Sequence, residues 1–195
     1  MKLLNQLINY DKELLLFLHS KGSTTWDGFW IFVTNPLHWI PIFFILFYVG
    51  YKVYGLKTAA IISLFTALSA AFSLITVNFI KNNVQRLRPI NDISINTTVR
   101  VLIEATDFSF VSGHSTVSFT IAFLSFFVLR KHYKFAFFIF LFPLLFAYSR
   151  LYLAAHYPLD ILFGMFLGLS IAFFFYRILN KFFLKKLICF HPTNS

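Results

Sequence analysis

One run of the sequence limits the fold more than any other. Residues 58 to 80 carry no charged side chain and lie between Lys57 and Lys81. At about 1.5 Å per helical residue, this run would extend over roughly 34 Å, enough to cross the hydrocarbon core of a bilayer. Only 12% of the 195 residues are charged, against about 25% in an average soluble domain. We therefore expect an all-α, polytopic membrane helical bundle that forms a single domain over residues 1–195.

Five apolar runs are expected to span the membrane. They cover roughly residues 30 to 51, with a bend near Asn35-Pro36, and residues 58 to 80, 115 to 129, 135 to 149 and 161 to 176. The last three runs are shorter than a bilayer core, so their helices should continue into polar flanks. Ionisable groups at that depth face a cavity and one another rather than lipid.

The chain begins with a different kind of helix. Residues 2 to 19 place leucines at helical spacing and polar side chains on the opposite face, which indicates an amphipathic helix in the membrane interface. A peripheral helix packed on the bundle is the alternative. No cleavable signal peptide is recognised, and Cys189 is the single cysteine, so no intrachain disulfide can form.

The basic residues predict the orientation. One set flanks the spans on one side: Lys52, Lys57, Arg130, Lys131, Lys134, Arg177, Lys181, Lys185 and Lys186. That side should be cytoplasmic and should hold the C-terminus. The remaining cations would then face the periplasmic side of a bacterial-type inner membrane. Because the formal charge of +10 is explained by anchors and an anion site, no nucleic-acid partner is expected.

Three polar segments fall on that outer side, and their residue types suit phosphate chemistry. Lys81, Arg88 and Arg150 are three cations that require an anion, and arginine matches phosphate oxygens in pairs. Ser112 and Gly113 precede a predicted helix, whose free backbone N–H groups favour negative charge. Together these residues predict a phosphate cradle.

Two histidines lie in the same polar segments as the cradle residues. His156 and Asp160 are four residues apart, so in a helical turn the carboxylate would fix one imidazole nitrogen and leave the other as a nucleophile. His114, from another helix, would protonate the leaving oxygen. These three residues are also of the types that bind metals. Three adjacent cations would repel a metal ion, so no metal or other cofactor is expected.

The three segments resemble the type 2 phosphatidic acid phosphatase superfamily, which also contains bacterial acid phosphatases and vanadium haloperoxidases. The family pattern is Lys-x6-Arg-Pro, Pro-Ser-Gly-His and Ser-Arg-x5-His-x3-Asp, and the match covers a catalytic core at residues 81 to 160. It reads here as Lys81, Arg88, Pro89; Ser112, Gly113, His114; and Ser149, Arg150, His156, Asp160. Val111 stands where the family usually has proline, which affects the turn before the helix.

The resemblance implies an integral membrane lipid phosphatase that works without metal. His156 would form a phosphohistidine, Asp160 would orient it, and His114 would act as general acid and then base. The phosphoryl oxygens would be held by Lys81, Arg88, Ser112, Gly113 and Arg150. Arg86 is a possible substrate contact or a loop cation.

The implied substrates are phosphomonoesters or diphosphates on lipids. They include undecaprenyl diphosphate, phosphatidylglycerophosphate, phosphatidic acid and lipid A 1-phosphate. Phosphoryl transfer to an acceptor lipid is an alternative on the same site. A non-catalytic lipid-phosphate binding or transport protein is the alternative from another class. No oligomeric state is predicted.

Overall fold

The computed structural model describes residues 2–104 and 106–184, which form helices and no β-strand. The α-helices are α1 (Lys2–Ser20), α2 (Thr24–Thr34), α3 (Ile40–Val84), α4 (Gly113–Leu129), α5 (Leu141–Tyr152) and α6 (Pro158–Leu179). Short 3-10 helices cover Pro36–Trp39, Pro89–Asn91 and Ala136–Phe140, and a π-helical turn, Asn180–Leu184, follows α6. The all-α prediction is confirmed. Lys185, Lys186, Cys189, His191 and the predicted cytoplasmic C-terminus lie outside the described residues.

The long helix α3 turns back on itself at Gly55. This glycine has a φ of +76°, which other residues rarely adopt. Ala59 Cβ lies 3.8 Å from where a Cβ on Gly50 would be, although nine residues of straight helix would separate them by about 13 Å. The two arms, residues 40–54 and 56–84, are therefore antiparallel neighbours, and the second contains the uncharged run of residues 58 to 80.

The first predicted span differs from the structure at its start. An interruption lies where the bend near Asn35-Pro36 was expected, because α2 ends at Thr34 and the first arm of α3 begins at Ile40. The residue before a proline avoids helical geometry, and Asn35 is extended, with its side chain accepting a hydrogen bond from the Leu37 N–H at 3.0 Å. The bend expected at Asn35-Pro36 is thus a complete break.

Two helical segments, Pro36–Asn91 and Pro158–Leu184, are long and apolar enough to cross a membrane. The apolar helices Gly113–Leu129 and Ala136–Tyr152 are shorter, and they extend only two or three residues into the polar flanks at His114 and Arg150. The number of membrane spans stays a prediction.

Helix α4 lies at the centre of the bundle, and small residues on α6 allow it to approach closely. A Cβ on Gly168 would lie 2.7 Å from the Thr116 carbonyl oxygen, and one on Gly164 would lie 3.0 Å from the Ser112 carbonyl oxygen. The Thr120 hydroxyl of α4 also lies 2.9 Å from the Ser73 hydroxyl of α3. Close backbone approach and interhelical hydrogen bonds are typical ways of packing helices in a membrane. This packing fixes the start of α4 against the start of α6.

Helix α1 has two distinct faces. Asp11, Leu15 and His19 form a buried stripe against the bundle, whereas Leu3 and Leu4 are 70% and 60% exposed. His19 Nδ1 donates to the Tyr152 carbonyl oxygen at 2.7 Å, and its Nε2 accepts from the Arg100 N–H at 2.9 Å. The packed alternative describes the buried face, and the exposed leucines suit the membrane interface.

We predict that Gly168→Ala destabilises the bundle, because the new methyl group would overlap a backbone oxygen that cannot move alone. Overpacking of this kind costs about 1–3 kcal/mol. Thermal inactivation in detergent micelles measures the loss. Gly28→Ala in α2 is the matched control, since nothing lies within 4 Å of a Cβ at Gly28; equal behaviour of the two variants would contradict this account.

Candidate active site

The three polar segments of the sequence meet at one end of the bundle. The Ser112 N–H, just before α4, donates to the Asp160 carbonyl oxygen at 3.1 Å. Arg88, in the loop after α3, donates through Nη1 to the Ala155 carbonyl oxygen at 2.5 Å. These contacts bring together four helix ends: the ends of α3 and α5 and the starts of α4 and α6. The four helix ends surround a shared set of buried polar groups.

His156 is fully buried and stands between an anion and a cation. Its Nδ1 lies 3.5 Å from Asp160 Oδ2, and its Nε2 lies 3.3 Å from Arg88 Nη1. The pair meets because Asp160 closes the first turn of α6, accepting the Tyr157 N–H at 2.9 Å, so the carboxylate points back toward the residue before the helix. A carboxylate on Nδ1 leaves Nε2 as the nitrogen available for chemistry.

The three predicted cradle cations are all buried, with exposed fractions of 6% for Lys81, 3% for Arg88 and 4% for Arg150. Lys81 and Arg88 both form ion pairs with the Asp107 carboxylate, and Arg88 Nε also donates to the Asp107 carbonyl oxygen at 2.9 Å. Burying cations without partners is costly. The loop between α3 and α4 therefore supplies the anion for two of them.

Arg150 is placed differently. Its Nη1 donates to the Thr34 hydroxyl at 2.6 Å, but its buried Nε–H has no acceptor within the described part of the chain. An unpaired buried donor on a guanidinium is energetically unfavourable. It marks a position where an acceptor such as a phosphoryl oxygen would be bound favourably.

The start of α4 brings the remaining predicted residues to the same place. Ser112 is the N-cap of α4, and its side chain accepts from the Ser115 N–H at 3.4 Å. The N–H groups of Gly113 and His114 lie in the first turn and have no acceptor within the helix. The His114 ring packs edge-on against the Phe146 ring, with the ring centroids 4.9 Å apart.

Arg86 lies beside the cradle, where it contacts other protein groups. Its Nη1 is 2.7 Å from Asp160 Oδ1, and its Nη2 is 2.6 Å from Asp11 Oδ2. Sequence reasoning missed Asp11 and also Ser109, whose hydroxyl donates to Asp160. Asp11 lies four residues from both Leu7 and Leu15, so a carboxylate on the apolar stripe of the first helix was the available signal, whereas Ser109 lies outside every motif.

Asp107 is the carboxylate that forms ion pairs with two of the cradle cations, Lys81 and Arg88. Burial raises the pKa of Asp107, but the hydrogen bond from Lys81 and the charges of Arg88 and Lys81 outweigh this and lower it to about 2. Its side chain is 57% exposed, whereas those of Lys81 and Arg88 are 7% and 4% exposed. The ionised carboxylate thus covers the solvent side of the two cations.

Comparison with known proteins identifies the fold. The structure resembles the crystal structure of a transmembrane PAP2-type phosphatidylglycerolphosphate phosphatase from Bacillus subtilis, with a TM-score of 0.73 and 21% identity over 91% of this chain and 88% of that one. The fold is that of transmembrane PAP2-type phosphatases.

Sequence comparison gives the family. The family model described as "PAP2 superfamily" matches residues 62–184. A lipid A 4'-phosphatase of Bacteroides thetaiotaomicron is 31% identical over 179 residues, covering 90% of this chain and 79% of that protein. An undecaprenyl-diphosphatase of Sulfolobus acidocaldarius is 26% identical over 186 residues, covering 93% and 84%. The chain belongs to the PAP2 superfamily, and the resemblance seen in its motifs is confirmed.

We predict that Asp107→Asn strengthens inhibition by inorganic phosphate or vanadate, because an oxyanion must displace the Asp107 carboxylate from Lys81 and Arg88. The expected decrease in the inhibition constant is about three- to ten-fold. Glu104→Gln, on the same loop, removes the same charge without touching these cations and should leave the constant unchanged. Weaker inhibition of Asp107→Asn would show that the carboxylate supports the cradle rather than competing for it.

Proposed function

We propose that this protein is an integral membrane lipid phosphatase that transfers a phosphoryl group to His156 and then to water. The observation that carries the proposal is the position of His156 itself. Its Nδ1 faces Asp160 and its Nε2 faces Arg88, with Lys81 and Arg150 buried in the same end of the bundle. A neutral imidazole beside a group of cations suits attack on a phosphate.

The proposed first step forms the phosphohistidine. Nε2 of His156 attacks phosphorus, the bond from phosphorus to the lipid oxygen breaks, and His114 gives that oxygen a proton. Asp160 stabilises the positive charge that develops on His156. The phosphoryl oxygens are held by the first-turn N–H groups of α4 and by the cradle residues Lys81, Arg88, Ser112, Gly113 and Arg150. The three cations among them offset the negative charge of these oxygens.

The proposed second step releases phosphate. Water attacks phosphorus, His114 now accepts its proton, and the bond from phosphorus to Nε2 breaks, so His156 returns to its neutral form. No step requires a metal, and the cations around His156 would repel one.

The proposed substrate is a phosphate or diphosphate group on a large lipid. The named activities of the two sequence relatives, a lipid A 4'-phosphatase and an undecaprenyl-diphosphatase, support a lipid A phosphate and an isoprenyl diphosphate as the first candidates. Phosphatidylglycerophosphate and phosphatidic acid complete the set.

The proposed location is the bacterial-type inner membrane, with the site on the periplasmic side and the C-terminus in the cytoplasm. Arg130, Arg177 and Lys181 line one groove near the ends of α4 and α6 that are remote from His156. An excess of lysine and arginine marks the cytoplasmic side, which supports placing the site opposite. The proposed functional unit is the whole chain, with residues 81–160 as its catalytic core.

We predict that the purified protein releases inorganic phosphate from at least one lipid of this set with a chelator present. His156→Ala should lower the rate by about a thousand-fold or more, because the nucleophile is lost. Malachite-green detection of phosphate across the lipid panel measures both.

The matched control is His132→Ala, since His132 packs on Tyr54 at the other end of the bundle and should not affect turnover. Full activity of His156→Ala would exclude the phosphohistidine route. If chelator abolished activity and a divalent ion restored it, the metal-independent mechanism would be excluded.

We predict a bell-shaped dependence of kcat/KM on pH. His156 must be neutral to attack, so activity falls as pH decreases, and His114 must be protonated to donate, so activity falls as pH increases. Initial rates between pH 5 and 9 test this, under conditions where chemistry limits the rate. A flat profile would contradict the two assigned roles.

A further inference from the structure

Arg86 joins two buried carboxylates that come from opposite ends of the sequence. Its Nη1 is 2.7 Å from Asp160 Oδ1, and its Nη2 is 2.6 Å from Asp11 Oδ2. The guanidinium also lies over the Tyr157 ring, 3.8 Å from its centroid. The two carboxylate side chains are 0% and 1% exposed, so Arg86 is held on three sides in a site from which water is largely excluded.

Asp11 connects helix α1 to the start of α6. Its second oxygen accepts the Leu159 N–H at 2.8 Å, one of the first-turn donors of α6 that lack an acceptor within the helix. A carboxylate is favoured there by the helix dipole as well. Because Asp160 is the next residue along α6, Asp11 fixes the same turn of backbone that carries Asp160.

Asp160 in turn is constrained through both of its oxygens. Oδ1 accepts from Arg86 at 2.7 Å, while Oδ2 accepts the Tyr157 N–H at 2.9 Å and the Ser109 hydroxyl, and faces His156 Nδ1 at 3.5 Å. Arg86 is the cation that compensates this buried carboxylate. Because Arg86 binds Oδ1 of Asp160, Oδ2 is the oxygen that faces Nδ1 of His156.

We propose that Asp11 and Arg86 are positioning residues that hold the Asp160 carboxylate against Nδ1 of His156, so that helix α1 is part of the catalytic apparatus and not only a membrane anchor. The inference rests on the proposed function. It differs from a role for Arg86 in binding substrate, because both Nη groups of Arg86 are engaged by protein carboxylates and its side chain is only 21% exposed.

The kinetic signature separates these two roles. A residue that acts through Asp160 affects the chemical step, so Arg86→Met and Asp11→Asn should each lower kcat by about ten- to hundred-fold, as loss of groups that orient an active ligand does. KM should change less than about two-fold, because a loss confined to the chemical step leaves substrate binding intact. A substrate contact would instead raise KM.

The pH profile adds a second readout. Asp11→Asn removes a negative charge and displaces Asp160, and both changes disfavour protonated His156, so the acidic limb of kcat/KM should move to lower pH. In Arg86→Met the loss of a positive charge opposes the displacement of Asp160, so its acidic limb should lie at higher pH than that of Asp11→Asn, with the double variant between them. The remaining groups that face or act on His156 are unchanged in these variants: Arg88, Ser109, Lys81, Arg150, Asp107 and His114.

The experiment measures kcat, KM and the pH profile of the full-length variants in detergent micelles, with vanadate inhibition as a check that the cradle is formed. Arg86→Lys retains one charge and should restore part of kcat, which keeps the test open if Arg86→Met does not fold. Lys12→Met is the matched control: Lys12 is next to Asp11 on α1 and pairs with Asp92 at 2.7 Å, without contacting Arg86 or Asp160.

Variants that bind vanadate but keep the wild-type kcat and pH profile would overturn the inference, as would a rise in KM alone. Equal losses in Lys12→Met and Asp11→Asn would also overturn it, because any weakening of α1 docking would then suffice. Failure of the proposed function is distinct: the wild type itself would release no phosphate, or His156→Ala would remain active.

Discussion

Burial of several cations at one end of a helical bundle is the constraint on which the rest of the arrangement depends. Lys81, Arg88 and Arg150 are each less than a tenth exposed. In a medium of low dielectric, each such charge needs an anion or strong acceptors nearby. Asp107 meets this need for Lys81 and Arg88, and the unpaired Nε–H of Arg150 retains the capacity for a further acceptor.

A buried negative charge near these cations, that of Asp160, also has a partner of opposite charge. Asp160 is a fully buried carboxylate beside a fully buried imidazole. Arg86, in the loop after α3, forms an ion pair with Asp160. Asp11, on α1, forms a second ion pair with Arg86. Each charge thus has a partner from a different segment. Arg86, from the loop after α3, and Asp11, from α1, therefore complete the charge pairing at the start of α6.

Sequence reasoning was most reliable where covalent spacing decides the outcome. The motif residues Lys81, Ser112 and His156 meet at one end of the bundle because consecutive helices alternate in direction. Lys81 lies in the last turn of α3, Ser112 directly precedes α4, and His156 lies in the short connection between α5 and α6. At Asn35-Pro36 the sequence indicated a bend, but hydrophobicity continues there although the helix does not, so the apolar run did not show that two separate helices meet. Apolar composition and helical geometry are different properties.

The sequence by itself determined the class of fold, the family and the motif residues proposed for the site, because hydrophobic run lengths and short motif spacings are local properties of the chain. Only the tertiary structure decided which charges pair. Asp11 and Arg86 are 75 residues apart and Arg86 and Asp160 are 74 apart, and no periodicity relates them. Such pairs depend on how helices pack, and here that packing is set by close backbone contact at Gly164 and Gly168.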